Sequence, residues 1–459
     1  MVDWQGKTIL VIGAARQGVA ATRFLAAHGS QVILTDNRPK EHFADLIYEL
    51  KNQPVKFAFG EHPLDLLEKV DYVCVSGGVP LESPLVLQAR KMNIPLTNDA
   101  QLFLDLVPAK VIGITGSAGK TTTTTLVGEI AKLGAAQSNK VWVGGNIGNP
   151  LIEEVKKISS EDWVVMELSS FQLELMHISP TIAAVLNITP NHLDRHKTMR
   201  AYTSAKAKIL NYQEPTDWAI LNREEPGSYN LRSLVIGNVS TFGFNRPESG
   251  IMGTFLENDT IMYFDGNNST PLIPINSIQL LGNHNLMNSL AACAVAFTAG
   301  FSSKAMQAGI SSIKGIPHRL EFIRDYNGIR WYNDSIATAP ERVIAAINTI
   351  PGPLVLLLGG RDKELPWKDL AALLLQRKPK VILFGEAGPM IKNELLAHEN
   401  GQPIYPITLV DDLKNAVSEA LSIAERNDSV LLSPGGTSYD AFLDFEERGN
   451  LFRELVEAI

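Results

Sequence analysis

The densest chemistry in this chain lies in Val111-Ile-Gly-Ile-Thr-Gly-Ser-Ala-Gly-Lys-Thr-Thr122. An apolar strand runs into a glycine loop, then Lys-Thr, then a helix expected to start near Thr123. Glycines let backbone N–H groups turn toward phosphate oxygens. A lysine ammonium neutralises terminal phosphates, and a threonine hydroxyl can ligate Mg²⁺. Gly116, Ser117, Gly119, Lys120, Thr121 and Thr122 are therefore the expected nucleotide contacts. The spacing departs from the common phosphate loop. Gly113 lies six positions before Gly119, where the pattern needs five, and Gly116 is an extra glycine. A second loop, Gly13-x-x-x-x-Gly18, is the weaker signal, because it lacks the middle glycine of the dinucleotide fingerprint. Asp36 ends the following strand, where a ribose contact would be made. A nicotinamide site and a turn that binds nothing both remain open there.

Other residues gain meaning only from their setting. Glu167 ends an apolar strand, and a carboxylate beside a phosphate loop can hold Mg²⁺ bridging nucleotide oxygens. A solvated strand-end acid is an equal reading of the residue alone. Read alone, His192 is a structural histidine and Lys206 a surface lysine. Cys74 and Cys293 sit in the apolar runs VCVSG and AACAVAF, as buried reduced thiols do, so neither a disulfide framework nor a zinc site is expected. The net charge of −8 argues against a general nucleic-acid binder. Phosphates must then be held by local devices: backbone N–H groups, a few basic side chains, metal ions.

The elements that must position these groups repeat one theme. Lys7–Ile12 reads as a strand, Gly13–Gly18 as a turn, Val19–His28 as a helix capped by Gly29, and Gln31–Thr35 as a strand. Strands at Asp71–Ser76 and Pro95–Asn98 complete a small parallel sheet. A second strand–loop–helix starts at Lys110, with strands Val164–Glu167 and Ile182–Asn187. Short β-like runs at Val239–Phe244 and Thr260–Phe264 read as an antiparallel insertion, and Asn285–Ala299 as an Ala-rich helix. Strands Ile329–Asn333, Leu354–Leu358, Val381–Phe384 and Ser429–Leu432 alternate with helices in a third α/β unit. The expected architecture is α/β in three domains. Residues 1–98 form a Rossmann-like domain. Residues 99–315 form a central P-loop ATPase-type parallel sheet with a small antiparallel insertion, and 316–459 a C-terminal Rossmann-like domain. The N-terminus reads as a strand entering a loop rather than a signal peptide. No run of about 18 apolar residues occurs, so a cytoplasmic location is expected.

An ordered set of motifs closely resembles the Mur ligase family. They are Thr115-Gly-Ser-Ala-Gly-Lys-Thr121, Gly144-Gly-Asn-Ile-Gly148, Glu167-Leu-Ser-Ser-Phe-Gln172, Asn187-Ile-Thr-Pro-Asn-His-Leu-Asp194, Gly282-Asn-His-Asn-Leu-Met-Asn288, Pro317-His-Arg319, Asn333-Asp-Ser335 and Leu358-Gly-Gly360. Ser433-Pro-Gly-Gly-Thr-Ser438 and Phe445-Glu-Glu-Arg-Gly-Asn450 look like the glutamate-adding branch. The resemblance covers essentially the whole chain. It implies a UDP-binding, an ATP-binding and an amino-acid-binding domain, closing about a hinge near Gly315. It also implies a monomeric, ADP-forming ligase of cytoplasmic peptidoglycan precursor synthesis. That ligase adds D-glutamate to UDP-N-acetylmuramoyl-L-alanine through an acyl phosphate.

Residue by residue, the resemblance makes Lys120, Glu167, His192 and Lys206 the catalytic set. Thr121, Glu167, His192 and a carbamylated Lys206 would hold two Mg²⁺ ions. ATP would further meet Asn288 at adenine, Arg319 at phosphate and Asp334 at ribose. Asn146, Ser169 and Gln172 would hold the UDP-sugar. Arg16 and Gln17 would face its diphosphate, and Asp36 and Asn37 its uracil. Thr338, Lys363, Ser438 and Phe445 would hold glutamate, Phe445 through its backbone N–H.

Two departures stand out. Ile336 occupies a position where the branch usually has lysine, and an isoleucine cannot neutralise a carboxylate. Either Arg342 or Arg361 supplies the charge, or the amino acid differs, L-glutamate being the nearest rival. Gly435-Gly436 stands where the branch often has small non-glycine residues. Two readings of another class compete. One is a nicotinamide-dependent oxidoreductase, disfavoured by its incomplete fingerprint. The other is a P-loop switch, which would not need a pocket around Ser438 and Phe445.

Overall fold

A computed structural model describes the chain apart from residues 1–3, 149, 281, 314, 316, 364 and 398–404, and apart from the side chain of Asp194. Two compact units emerge: Met1–Ile278 with Asn283–Ser312, and Gln279–Gly282 with Ile313–Ile459. The expected hinge near Gly315 falls between Lys314 and Ile316, which lie outside the described residues.

The first unit holds two sheets. Strands Thr8–Ile12 (β1), Gln31–Asp36 (β2), Val55–Phe59 (β3), Tyr72–Val75 (β4) and Leu96–Thr97 (β5) pair in parallel in the order β3-β2-β1-β4-β5. The second sheet comprises Lys110–Thr115 (β6), Val141–Gly145 (β7), Trp163–Glu167 (β8), Ile182–Val185 (β9), Trp218–Asn222 (β10), Asn238–Phe242 (β11), Gly253–Glu257 (β12), Thr260–Phe264 (β13) and Ser269–Pro274 (β14). Its order is β14-β13-β12-β11-β10-β9-β6-β8-β7. A continuous apolar core reaches from Ile9 and Leu25 through Phe103 to Val164 and Val185, so the two sheets share one interior. Truncating the buried Phe103 to alanine would cost about 3–5 kcal/mol.

The antiparallel insertion is smaller than expected. β11 pairs in parallel with both β10 and β12, and only β12-β13-β14 run antiparallel, as the edge of the same sheet. The two loop helices also begin earlier than expected, at Arg16 and Lys120. The turn is complete by Ala15 in one and by Gly119 in the other. Arg16-Gln17 and Lys120-Thr121 then open the first helical turn.

The second unit contains Glu321–Tyr326 (β15), Ile329–Asn333 (β16), Leu354–Gly359 (β17), Lys380–Phe384 (β18), Ile407–Leu409 (β19) and Ser429–Gly435 (β20), ordered β15-β16-β20-β17-β18-β19. Among these described strands, only the β15–β16 hairpin is antiparallel. β17 and β20 are buried along their whole length, as a parallel strand covered on both faces must be. Among the described residues no helix is long and apolar enough to cross a membrane.

Candidate functional site

β6 lies between β8 and β9 and delivers the phosphate loop at its end. Gly113 belongs to β6 and not to the loop. A Cβ there would clash with the Pro180 ring, so this glycine serves packing, which accounts for the departure in spacing. Gly119 is the turn itself. Its φ of +82° is left-handed, and a Cβ would run into Asn288 Oδ1. Asn288, on the helix Asn283–Thr298, therefore stands directly behind the loop. The loop helix closes its first turn with Thr123 N donating to Gly119 O. The amides ahead of it belong to the open N-terminal turn. The hydroxyl of Thr122 is buried without a partner among the described residues.

The loop is braced from the side. Ser117 N donates to Asn187 O at 2.9 Å and Ala118 N to Asn187 Oδ1 at 2.8 Å. Ser117 Oγ donates to Thr189 O and lies 3.0 Å from the Tyr202 hydroxyl. Lys120 Nζ and Lys206 Nζ both donate to Gly116 O, at 3.0 and 2.9 Å. Lys206 is 1% exposed, which overturns the surface reading that its sequence alone favours. Burial first, then the Lys120 ammonium, drive its proton affinity well below that of an ordinary lysine, against the pull of Glu167.

β8 carries Glu167 to the same place, buried, with its two oxygens divided. Oε2 accepts from the Thr121 hydroxyl at 2.8 Å, and Oε1 from Asn146 Nδ2 at 2.9 Å. Lys120, Thr121, Glu167, Asn146 and Lys206 are thus one cluster. Among the described residues no three His, Cys, Asp or Glu side chains form a preformed metal cage. The oxygen pair of Thr121 and Glu167 nonetheless suits Mg²⁺, which takes one or two protein oxygens and completes its shell with phosphate and water. His192 is exposed, with a left-handed φ of +54°, and its ring meets Phe171 edge-on at 5.2 Å.

Ser169 and Gln172 form a capping box at the start of a short helix. Gln172 is buried. Its Oε1 accepts from Ser169, and its Nε2 faces Asp99 at 3.3 Å, whose carboxyl burial pushes up to about 6 against that hydrogen bond. Its polar atoms are therefore engaged inside the protein. Ser169 is half-buried.

In the first sheet, Asp36 Oδ2 accepts from Ala14 N at 2.7 Å, closing the Gly13 turn. Arg38 donates to both oxygens of Asp36 and lies over the Phe43 ring. Burial raises the Asp36 carboxyl, and Arg38 with the backbone amides outweighs it, leaving it below the ordinary value. Arg16 and Asn37 are exposed, and Gln17 Oε1 lies where a Cβ on Gly77 would meet it at 3.1 Å.

The remaining expected residues lie in the second unit. Asp334 accepts from Leu320 N at 3.1 Å and Ser433 Oγ at 2.9 Å, and burial pushes its carboxyl up to about 7. Arg319 is half-buried. Lys363 Nζ donates to Thr338 Oγ1 at 3.2 Å, joining two of the glutamate candidates. Ser438 is buried, and Phe445 opens the helix Phe445–Glu457. Ser335 Oγ donates to Phe445 O, and the fully buried Arg448 donates to Ser335 and Gly436 O. Arg361 is paired with Glu386, whereas Arg342 donates to Ile336 O at 3.3 Å. Gly435 has φ +73° and would press a Cβ on Trp367. A Cβ on Gly436 would lie 2.6 Å from Gly359 O. Both glycines are therefore demanded by close packing.

Sequence reasoning misses Asn187 as a brace, and it misses Tyr202, His196, Asp99, Arg38 and Arg448. Only Arg38 has a local signal, its place two residues after Asp36.

Comparison with known proteins agrees along the chain. Residues 7–98 match the Mur ligase MurD-like N-terminal domain, 114–296 the Mur ligase middle domain, and 318–436 the Mur ligase glutamate ligase domain. A UDP-N-acetylmuramoylalanine--D-glutamate ligase of Symbiobacterium thermophilum is 40% identical, over 98% of this chain and 97% of its own. A ligase of the same name from Koribacter versatilis is 36% identical over 99% and 98%. Among solved structures, MurF from Acinetobacter baumannii is similar with a TM-score of 0.60 at 17% identity, covering 98% of this chain and 93% of that one. UDP-N-acetylmuramate-alanine ligase MurC from Thermotoga maritima gives 0.58 at 19%, covering 98% and 99%. At those identities the structural likeness speaks for the fold. With three successive family domains and relatives matched over nearly their full length, the chain belongs to the Mur ligase family.

Proposed function

We propose that the chain joins D-glutamate to UDP-N-acetylmuramoyl-L-alanine, forming ADP and phosphate from ATP, in cytoplasmic assembly of peptidoglycan precursors. The observation that carries this reading is the 40% identity, over nearly the whole of both chains, to a ligase named for that reaction. Residues 1–98, 99–315 and 316–459 serve the UDP-sugar, ATP and the amino acid.

Lys120 and the open amides of its helix bind the phosphates of ATP, with Gly116, Ser117, Gly119, Thr121 and Thr122 around them. Binding draws the Lys120 ammonium from Gly116 O onto the nucleotide. Asn288 supports the loop from behind and meets the adenine, while Arg319 and Asp334 contact phosphate and ribose. The alanyl carboxylate attacks the γ-phosphorus, and ADP leaves. The glutamate amine then attacks the acyl carbonyl, loses a proton, and phosphate departs. Thr121, Glu167, His192 and Lys206 would hold Mg²⁺, which when bound would supply positive charge beside the phosphates. Lys206 would enter that set as its carbamate. A buried amine with depressed proton affinity has the free lone pair that addition to CO₂ requires.

Asn146, Ser169 and Gln172 order the sugar end, Gln172 by shaping the turn. Arg16, Gln17, Asp36 and Asn37 face the uridine diphosphate. Thr338, Lys363, Ser438 and the Phe445 amide take the two carboxylates of glutamate. Arg342, set against the Ile336 carbonyl, supplies the cation that Ile336 lacks. The same substitution leaves L-glutamate as the second reading.

Phosphate release from ATP with UDP-N-acetylmuramoyl-L-alanine tests both. Release with D-glutamate is expected, and none with D-lysine. Release with L-glutamate alone would select the second reading, and no amino-acid-dependent release would end both.

A further inference from the structure

A run of stacked groups crosses the first unit beside the phosphate loop. The Arg195 guanidinium lies 4.3 Å over the Phe171 ring. Phe171 stacks on His196 at 5.3 Å with planes 3° apart, and His196 meets Tyr202 at 5.0 Å. The Tyr202 hydroxyl reaches Ser117 Oγ at 3.0 Å, and Lys206 Nζ lies 4.8 Å from the Tyr202 centroid. At the other end Arg195 donates to Gly78 O at 3.1 Å and Val79 O at 3.0 Å, in the loop that follows β4. One end thus touches the loop after β4 and the other touches the phosphate loop.

His196 is fixed in the middle. Its Nδ1 lies 3.3 Å from Glu174 Oε1, and its Nε2 lies 2.9 Å from Ser170 Oγ. With Nδ1–H donated to the carboxylate, Nε2 accepts the serine proton, and the ring cannot turn without losing a bond. A Ser–His–Glu series of this kind can activate a nucleophile. Here Ser170 is 3% and His196 6% exposed, so no substrate reaches either. The series holds a ring, and the ring holds its neighbours.

We infer that Arg195, Phe171, His196 and Tyr202 form a positioning column anchored on the Gly78–Val79 loop, which together with the Thr189 backbone sets the Ser117 hydroxyl of the phosphate loop. His196 is its central positioning residue. This inference rests on the ligase reading above. The influence of Arg195 on ATP passes along the rings, so it needs every ring in place.

The test is a double-mutant cycle of Arg195→Ala and Tyr202→Phe in the full chain, reading KM for ATP and kcat separately. Tyr202→Phe keeps the ring and deletes the Ser117 contact; it is expected to raise KM for ATP about tenfold. Arg195→Ala is expected to raise it about threefold in the parent chain and not at all in the Tyr202→Phe background. His196→Phe keeps a stacking ring, deletes both hydrogen bonds, and is expected to abolish the Arg195 effect in the same way. Independent, multiplying effects on KM for ATP, or no effect of Arg195→Ala in the parent chain, would overturn the column. If His196→Phe proves misfolded by its thermal transition, the Arg195–Tyr202 cycle decides alone. A parent chain without amino-acid-dependent phosphate release would instead overturn the ligase reading. In that case ATP affinity, measured by equilibrium binding, replaces KM in the same cycle.

Discussion

The first unit contains two strand–glycine–helix turns, and they use glycine for different ends. At Gly13–Gly18 the close approach is internal: a Cβ on Gly18 would fall on Gly13 O. The Ala14 amide is already taken by Asp36. Both turns carry a left-handed glycine, Gly13 at φ +96° against the Ser76 and Val79 side chains and Gly119 at φ +82° against Asn288. The ammonium of the second turn, Lys120, rests on the loop's own carbonyl. In the first turn packing fixes the loop and leaves Arg16 and Asn37 at its exposed edge, whereas in the second Lys120 and Asn288, the side chains against the loop, are able to move when an anion binds.

That contrast can be broken in order of effect. Lys120→Ala is expected to lower kcat by about 10³-fold or more, with an unchanged thermal transition. Phosphate release beside a melting curve checks it, and persisting turnover would remove the phosphate loop from the reaction. Gly18→Ala is expected to destabilise the fold by about 3 kcal/mol, since Gly13 O cannot retreat. Denaturant unfolding measures it. Gly119→Ala is expected to cost less stability, about 1–2 kcal/mol from its left-handed backbone, and to weaken ATP binding more than folding. Adding Asn288→Ala relieves the clash but not the strain, so stability recovers only in part.

The smallest effect concerns Asp36. Its folded carboxyl sits below the ordinary value of 3.8. A depressed acid contributes stability that is present above its unfolded value and lost as pH falls through its folded value. Asp36→Asn should therefore be less stable than the parent at neutral pH, and the gap should close below pH 3.8. Unfolding curves at several pH values would show a constant gap if Asp36 did not hold the turn as a carboxylate.

Much of this architecture is legible because the central strands are short apolar runs ending in glycine or polar residues. β16 and β13 fall on the expected residues. β15, EFIRDY, is not readable: it is a half-exposed edge strand whose alternation is blurred by charges. β3, VKFAF, is a similar edge. The antiparallel role expected of β11 fails because nothing local records the partner of a strand. Within the site, Lys120, Thr121 and Glu167 follow from strand ends and spacing. The Asn187 brace and the Tyr202–Ser117 contact join residues 69 and 85 positions apart, and no local pattern announces such a contact. Gln172 shows the reverse limit, since its motif is visible in the sequence while its inward direction is not.

The carbonyl of Gly116 accepts from two lysine amino groups, those of Lys120 and Lys206. The Lys120 ammonium repels a proton on Lys206, and after burial that repulsion is part of what depresses the proton affinity of Lys206. While Lys206 is an unmodified amine, a polyanion that draws Lys120 away lifts this repulsion, so its binding favours proton uptake there. By thermodynamic reciprocity, the protonation state of Lys206 must in turn change the affinity for that polyanion. One shared oxygen therefore makes two equilibria, anion capture and amine titration, report on each other.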